Sequence, residues 1–261
     1  MSAFCAAFWA EALKARRSKL SLLTAAAISL FPVVSGLFMF ILKDPERARE
    51  MGLISVKAQI TAAVADWPTH FGILVLGMAI AGAILFAIIV AWVFGREFSD
   101  HTAKELLALP TPREIIVAAK FVLTALWILG LTLLAFVVGL GAGALVGIPG
   151  WSLELAWTSL GSLLLVALLT FMLLPFVAFF ASVGRGYLLP LGWALLTLAL
   201  AQIALALGWG DWFPWSVPGL LSSLNGPTEP LAAHSYLAVL LAFIAGIAAT
   251  FAWWRSADQA R

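Results

Sequence analysis

The sequence predicts an all-α integral membrane protein, and two observations lead to this fold class. Hydrophobic residues make up 63% of the chain and charged residues 11%, whereas a soluble domain is nearer half apolar and a quarter charged. Six apolar windows are also long enough to cross a hydrocarbon core of about 30 Å, which takes about 20 helical residues. The windows are continuous rather than alternating, so they predict helices and not the short strands of a barrel.

The first predicted element, residues 1–19, is a helix that lies along the membrane surface. Phe4 and Phe8 recur at helical spacing, whereas Lys14, Arg16 and Arg17 collect towards the end of the segment. Such a helix would bury its apolar side in lipid and hold its basic end near anionic head groups. Anchoring to membrane lipid is the first interpretation, and contact with a partner is the alternative.

Six predicted transmembrane helices follow, and together with the surface helix they make residues 1–261 a single transmembrane domain. The third and fourth windows exceed one crossing, so we expect these helices to tilt, kink or extend along the interface. The predicted spans are Leu20–Leu42, His70–Phe94, Ile115–Val146, Leu153–Val183, Leu188–Leu207 and Tyr236–Trp254.

Two connecting segments on the side opposite the N-terminus carry patterns of their own. In segment 44–69, Met51, Ile54 and Ala58 belong to a moderately apolar stripe that favours a short amphipathic helix. Segment 208–235 is rich in aromatic side chains, which usually anchor a protein at the head groups, although contact with a transported molecule is the alternative. These aromatic residues are Trp209, Trp212, Phe213 and Trp215.

The distribution of Lys and Arg predicts the orientation, because basic residues are retained on the cytoplasmic side. With the N-terminus inside, 11 basic residues fall in inner segments and 4 in outer segments. Both termini are therefore predicted to be cytoplasmic, in a multi-pass protein of the cell's inner (plasma) membrane.

The motifs of several other protein classes do not occur in the chain. His70, His101 and His234 are far apart and fall at different membrane ends, so their spacing gives no metal site. No Gly-Lys-Ser/Thr phosphate loop and no Gly-x-Ser-x-Gly elbow is present, so the chain is not predicted to bind ATP or to be an enzyme. No basic run is interleaved with aromatics, which argues against a nucleic-acid partner.

Charge is also sparse inside the predicted spans. Lys120 lies near the inner end of the third span and Glu154 at the outer end of the fourth. Both side chains are long enough to extend towards the nearer membrane surface, so we expect them to snorkel. Carriers driven by protons or sodium usually place ionisable groups within their spans, and this class is therefore disfavoured.

A charged island at residues 96–114 separates the second and third spans on the predicted cytoplasmic side. A helix of about ten residues is predicted there, marginal in water unless it packs on something, with Ser99 or Asp100 as its cap and Pro110 at its end. A turn between spans is the simpler interpretation, and docking to a soluble partner is the other. The side chains that would suit a groove on such a partner are Asp100, Lys104, Glu105, Leu106, Leu107 and Leu109.

Residues 94–121 resemble the segment after the second span in permease subunits of type 2 ATP-binding-cassette (ABC) exporters, of the bacitracin and lantibiotic self-protection group. The shared pattern is Glu-Phe and a Thr, then Leu-Leu, a Pro, an Arg, and a Lys at the start of the next span. The residues in these places are Glu97, Phe98, Thr102, Leu106, Leu107, Pro110, Arg113 and Lys120. Elsewhere the resemblance rests on the six-span layout, the N-terminal helix and the chain length.

This resemblance implies the membrane-spanning half of an ATP-driven exporter, with a cytoplasmic coupling helix in 96–114. Two permease subunits, identical or related, would dock on two cytoplasmic ATPase subunits, which would hold the ATP and Mg²⁺, whereas this chain would hold no cofactor. The cargo would be an amphipathic or apolar antibiotic, peptide or lipid-like molecule moved outward. The implied docking residues are Glu97, Phe98, Asp100, Thr102, Lys104, Glu105, Leu106, Leu107, Pro110 and Arg113.

A second function from another class fits the same island. A membrane scaffold or assembly factor could dock a soluble partner through 96–114 without moving any cargo. The two functions separate on cargo, since only the exporter should respond to membrane-active molecules.

Overall fold

The computed structural model describes residues 2–52, 64–100, 102, 111–222 and 231–256, and every regular element among them is helical. Within these residues six segments are long and apolar enough to cross a membrane, which confirms the predicted fold class. Each overlaps a predicted span, and the second continues beyond the expected end at Phe94. The six segments are Lys19–Lys43, Trp67–Ser99, Arg113–Val146, Leu153–Val183, Leu188–Ala206 and Ala233–Ser256.

The N-terminal helix α1 (Ala3–Arg17) joins the first span α2 (Lys19–Lys43) through one extended residue, Ser18. Ser2 begins α1 by accepting a hydrogen bond from the Cys5 amide at 3.3 Å, and Ser18 begins α2 by accepting one from the Leu20 amide at 3.0 Å. These serines satisfy amide groups that have no partner within a helix. The short helix α3 (Pro45–Glu50) follows α2 at the other end of the bundle. Of the predicted amphipathic stripe in 44–69, Ile54 and Ala58 lie outside the described residues.

The second span combines three helical pieces. Helix α4 (Trp67–Gly77) begins where the Asp66 carboxylate accepts a hydrogen bond from the Thr69 amide at 2.8 Å. A π-helical turn (Met78–Gly82) then leads into α5 (Ala83–Ser99). Such wide turns are uncommon and leave one backbone position out of the regular ladder. The sequence predicts one uninterrupted helix here, because hydropathy does not distinguish the two forms.

The third span is one helix, α6 (Arg113–Val146), of 34 residues. It packs along α2 and also contacts α1. A methyl group at Gly36 of α2 would stand 2.8 Å from the Ala142 Cβ of α6, so the absence of a side chain there permits the close approach. Gly147 ends α6 in the left-handed region at φ +66°, where glycine is favoured. Lys43 then donates to the Val146 and Gly147 carbonyls at 2.7 and 2.9 Å.

The fourth span is broken near its C-terminal end into α7 (Leu153–Leu173) and α8 (Pro175–Val183). Proline lacks the amide that would continue the ladder, so the break falls at Pro175 and gives this window, which exceeds one crossing, a kink. The last span, α11 (Ala233–Ser256), packs over this break. Thr250 of α11 donates a hydrogen bond to the Pro175 carbonyl at 3.1 Å.

The fifth span, α9 (Leu188–Ala206), connects to α11 through a segment that includes the four-residue helix α10 (Val217–Leu220). Trp209 and Trp212 are largely exposed there, in keeping with the expected interfacial position. Trp215 instead points inward, and its ring centroid lies 5.7 Å from those of Phe176 and Trp193. Trp215 is half-buried and packs against the bundle, and its role as an interfacial anchor stays a prediction.

Candidate functional site

Four charged side chains meet at the end of the bundle that also holds α1, the end of α5 and the start of α6. The Lys120 ammonium lies 2.9 Å from Glu97 Oε1 and 3.0 Å from Glu11 Oε2. The Lys14 ammonium lies 2.7 Å from Glu11 Oε1 and 2.9 Å from Glu97 Oε1. We call these four residues the ion cluster. It is electrically balanced, with two carboxylates and two ammonium groups.

The four residues of the ion cluster come from three helices, α1, α5 and α6. Glu11 and Lys14 are three residues apart on α1 and so share a helix face. Glu97 lies in the last turns of α5, and Lys120 lies inside α6, where it is 0% exposed. Lys120 also donates to the Val93 carbonyl at 2.7 Å, so its three N–H groups meet three acceptors.

Burial explains why the cluster needs all of its pairs. A charge removed from water costs several kcal/mol unless an opposite charge and hydrogen bonds compensate it. Glu97 is only 3% exposed and Glu11 5%, so both carboxylates depend on the two lysines. Glu97 Oε2 is also buried and has no hydrogen-bond partner within the described residues. The cluster therefore ties α1, α5 and α6 together at one point.

Lys14 lies at the edge of the cluster on α1, outside the membrane-spanning helices. Its side chain is 33% exposed. Burial by itself would lower the pKa of Lys14, but the charges and hydrogen bonds of Glu97 and Glu11 outweigh burial and raise this pKa above its ordinary value of 10.5. Lys14 is therefore charged at neutral pH.

The sequence did not predict this cluster. We expected Lys120 to snorkel to the cytoplasmic surface, and that expectation was wrong because α1 covers this part of α6 and supplies Glu11 as a partner. Two signals were available: a lysine within a span, and an acidic residue three positions before a lysine on the N-terminal helix. The sequence did not show which helices become neighbours.

The structure locates five of the ten predicted docking residues. Glu97 and Phe98 lie in the interior, where the Phe98 ring packs against Trp253 and Trp254 at centroid distances of 5.8 and 6.0 Å. As positioned, both side chains contact this chain, and their docking role stays a prediction. Lys104, Glu105, Leu106, Leu107 and Pro110 lie outside the described residues.

The other three predicted docking residues lie at the margins of the segment between α5 and α6. Asp100 and Thr102 are exposed. Asp100 follows the last turn of α5 and accepts from Arg96 Nε at 3.0 Å. It ends the preceding helix. Residues 103–110, where the next helix is predicted, lie outside the described residues, so the capping role of Asp100 stays a prediction. Arg113 begins α6 and donates to the Trp254 carbonyl at 3.2 Å.

The last helix holds the other side of this segment. Arg255 of α11 donates to Glu114 of α6 at 2.6 Å, in an exposed ion pair. Trp254 is buried and donates from its indole nitrogen to Ser182 of α8 at 3.0 Å. The end of α5 and the start of α6 are thus held by α1 through the ion cluster and by α11 through these contacts.

Histidine and cysteine contribute no metal site in the part of the chain that the structure describes, where no group of three His, Cys, Asp or Glu side chains could hold an ion. His70 is buried between the Ser35 hydroxyl and the Gly139 carbonyl, each at 3.0 Å. His234 contacts Asp211 at 3.1 Å at the opposite end of the bundle from the ion cluster. Cys5 is exposed on α1.

Comparison with known proteins gives the class of molecule to which this arrangement belongs. A family model described as an ABC-2 family transporter protein matches residues 7–201, well over half of the chain. The chain belongs to the ABC-2 transporter family. It is therefore a transport permease subunit, and membership implies association with ATP-binding-cassette ATPase partners.

The permease is also similar to one characterised transporter subunit. Over 177 residues it is 25% identical to the bacitracin transport permease protein BCRB of Bacillus licheniformis. The similarity covers 68% of this chain and 85% of that protein. No solved structure matches the chain.

The region that matches the family model contains the whole ion cluster. This region begins on α1, before Glu11, and includes all four cluster residues as well as the segment between α5 and α6. Permease subunits of ABC transporters typically do not carry the ATPase site, which lies in a partner subunit.

Proposed function

We propose that this permease is the membrane-spanning subunit of an ATP-driven exporter that moves an amphipathic or apolar molecule outward. Three observations support this: membership of the ABC-2 family, the similarity to a bacitracin permease, and spans whose interiors carry little charge apart from Lys120 and its partner Glu97. The first candidate cargo is a membrane-active peptide antibiotic of the bacitracin kind.

The proposed orientation places the end with the ion cluster in the cytoplasm. The excess of Lys and Arg in the segments at this end supports it. Both termini are then cytoplasmic, and residues 96–114 face the soluble ATPase subunits. Two ATPase subunits would bind ATP and Mg²⁺, and a second permease, identical or related, would complete the pathway.

In this proposal, residues 96–114 transmit the movement of the ATPases to the spans. Arg96–Ser99 belong to α5 and Arg113 begins α6, so the segment is continuous with two spans. The ion cluster joins both of those spans to α1. A rigid-body displacement of the segment would therefore move the inner ends of α5 and α6 together with α1, rather than bend one helix alone.

Docking is tested with the double variant Glu105→Arg and Leu106→Asp. It should insert normally but lose co-purification with the ATPase, since both charge and apolar complementarity would be reversed. The matched control is Glu50→Arg with Met51→Asp, the same kinds of change at the opposite end of the bundle, where Met51 is 61% exposed. Retention of the ATPase by the first variant at the control's level would refute docking through this segment.

Export is tested separately from docking. The permease and its ATPase are reconstituted in liposomes, and ATP hydrolysis is measured with bacitracin and other membrane-active antibiotics. We expect stimulation by at least one of them, and cells that express the complex should survive it better. A complex that assembles but neither responds nor protects would instead fit a scaffold.

A further inference from the structure

A groove of about 490 Å³ runs between α1 and the end of α5, beside the ion cluster. Its polar lining has three basic side chains and a single acidic one. Its apolar lining includes Leu13 of α1 and Trp92 of α5. The basic and acidic residues are Lys14, Arg17, Arg96 and Asp100.

The three basic residues differ in how far their charge is already compensated. Lys14 is bound by two carboxylates of the ion cluster. Arg96 uses its Nε to bind Asp100 at 3.0 Å, and its side chain is 33% exposed. Arg17 is exposed, and its guanidinium makes no hydrogen bond or ion pair with the described residues. The groove thus presents an uncompensated positive charge at Arg17 and a partly compensated one at Arg96.

The aromatic side of the groove is suited to a membrane interface. Trp92 is partly buried, and the Arg96 guanidinium carbon lies 5.0 Å from the centre of its ring. Tryptophan and arginine stacked in this way present an apolar surface and a cation side by side, an arrangement typical of the head-group level. Helices α1 and α2 also carry exposed apolar side chains, including Trp9, Leu22 and Leu23.

We propose that this groove is a binding site for the phosphate head group of an anionic phospholipid. The phosphate would be held between Arg17 and Arg96, and the start of an acyl chain would lie along Leu13 and Trp92. A free phosphate would gain nothing from this apolar lining, which favours the lipid as occupant. The assignment to the cytoplasmic leaflet rests on the proposed function and its orientation, whereas lipid binding itself does not.

Occupancy of the groove would influence the segment between α5 and α6. Arg96 and Asp100 form its margin on α5, and Lys14 is shared between the groove and the ion cluster. A bound anion would hold α1 against the end of α5. The composition of the membrane would then affect how the ATPase drives the spans.

The test uses the full chain, purified in detergent without its ATPase, and native mass spectrometry with phosphatidylglycerol or phosphatidylethanolamine added. Arg17→Gln should retain phosphatidylglycerol about five-fold less well, as expected for one basic side chain near an anionic lipid. The matched control is Arg16→Gln, which removes the same charge from the neighbouring exposed residue, outside the groove. Arg96→Gln should weaken retention like Arg17→Gln, and phosphatidylethanolamine should bind weakly to all forms.

Equal losses in Arg16→Gln and Arg17→Gln would overturn the site and indicate diffuse attraction to charge. Unchanged retention in both Arg17→Gln and Arg96→Gln would overturn it as well. Displacement of the lipid by inorganic phosphate from wild type, but not from Arg17→Gln, would reassign the groove to a free anion. Because no ATPase is present, these results are independent of whether docking through 96–114 holds.

Discussion

Lys120 shows at the scale of one residue how a lysine can be stable inside a membrane bundle. Its ammonium meets Glu97, Glu11 and the Val93 carbonyl and is fully enclosed. Breaking a buried ion pair by removing one partner leaves an uncompensated charge, which is far more costly than the pair itself is favourable. The cluster is therefore expected to behave as a unit.

Lys120→Met should lower the free energy of unfolding by about 3–5 kcal/mol, because two buried carboxylates would share only Lys14. Denaturant unfolding in detergent measures this loss, and Lys19→Met on the exposed start of α2 is the control. Adding Glu97→Gln to Lys120→Met restores the balance of charge and should recover much of the loss. Equal stability of the Lys120 and Lys19 variants would contradict the role of the cluster.

Lys14 gives the cluster a defined pH dependence. Carboxylates raise the pKa of Lys14 above 10.5 despite its burial, so folding favours the protonated form. The stabilisation should be complete below pH 10.5 and should disappear as the pH rises through the value in the folded protein. The difference in Tm between wild type and Lys14→Gln should thus be constant near neutral pH and shrink in strong alkali. A Tm difference that grows as the pH rises would contradict this prediction, because it would mean that folding favours the deprotonated form of Lys14.

At the scale of elements, the long contact between α2 and α6 depends on small residues. Lipid tails are themselves apolar, so two apolar helices gain no hydrophobic free energy when they associate in a membrane. Close packing of small residues favours their association instead. Gly36 faces Ala142 closely, whereas a methyl group at Gly141 would meet nothing within 4 Å. The two glycines allow a direct comparison.

Gly36→Ala should destabilise the protein by about 1–3 kcal/mol, because the added methyl group overpacks the helix contact. Gly141→Ala, in the same helix pair, should leave the free energy of unfolding nearly unchanged. Denaturant unfolding of both variants under identical detergent conditions checks this. The packing would be misassigned if the two substitutions had the same effect.

At the scale of the whole molecule, the arrangement of six spans puts α1 and the end of α11 at one face of the bundle. We propose, from the excess of basic residues in its segments, that this face lies in the cytoplasm. Cys5 is exposed on α1 and is the single cysteine of the chain, so it reports the side on which this face lies.

A membrane-impermeant maleimide should label Cys5 only after the cells are permeabilised. In a Cys5→Ser background, Trp209→Cys should be labelled in intact cells, since Trp209 is 69% exposed at the opposite end. A reporter fused after Leu224 should likewise be accessible from outside. The reverse labelling pattern would invert the proposed orientation.

Apolar length and continuity were enough to predict the class and the number of spans, because crossing a membrane is a requirement that each helix meets by its own composition. The charged island could likewise be located, since it interrupts that composition. The excess length of the fourth window also indicated that it tilts, kinks or extends, and the structure places a kink at Pro175, where the backbone itself lacks a donor.

Whether the charged side chains are buried or exposed depends on which helices become neighbours in the folded protein. Glu11, Glu97 and Lys120 are distant in the chain, and each alone resembles an interfacial residue that could snorkel. Their burial is favourable only because α1 folds over α6 and brings opposite charges within 3.0 Å. The inward position of Trp215 depends in the same way on packing between spans, which hydropathy does not encode.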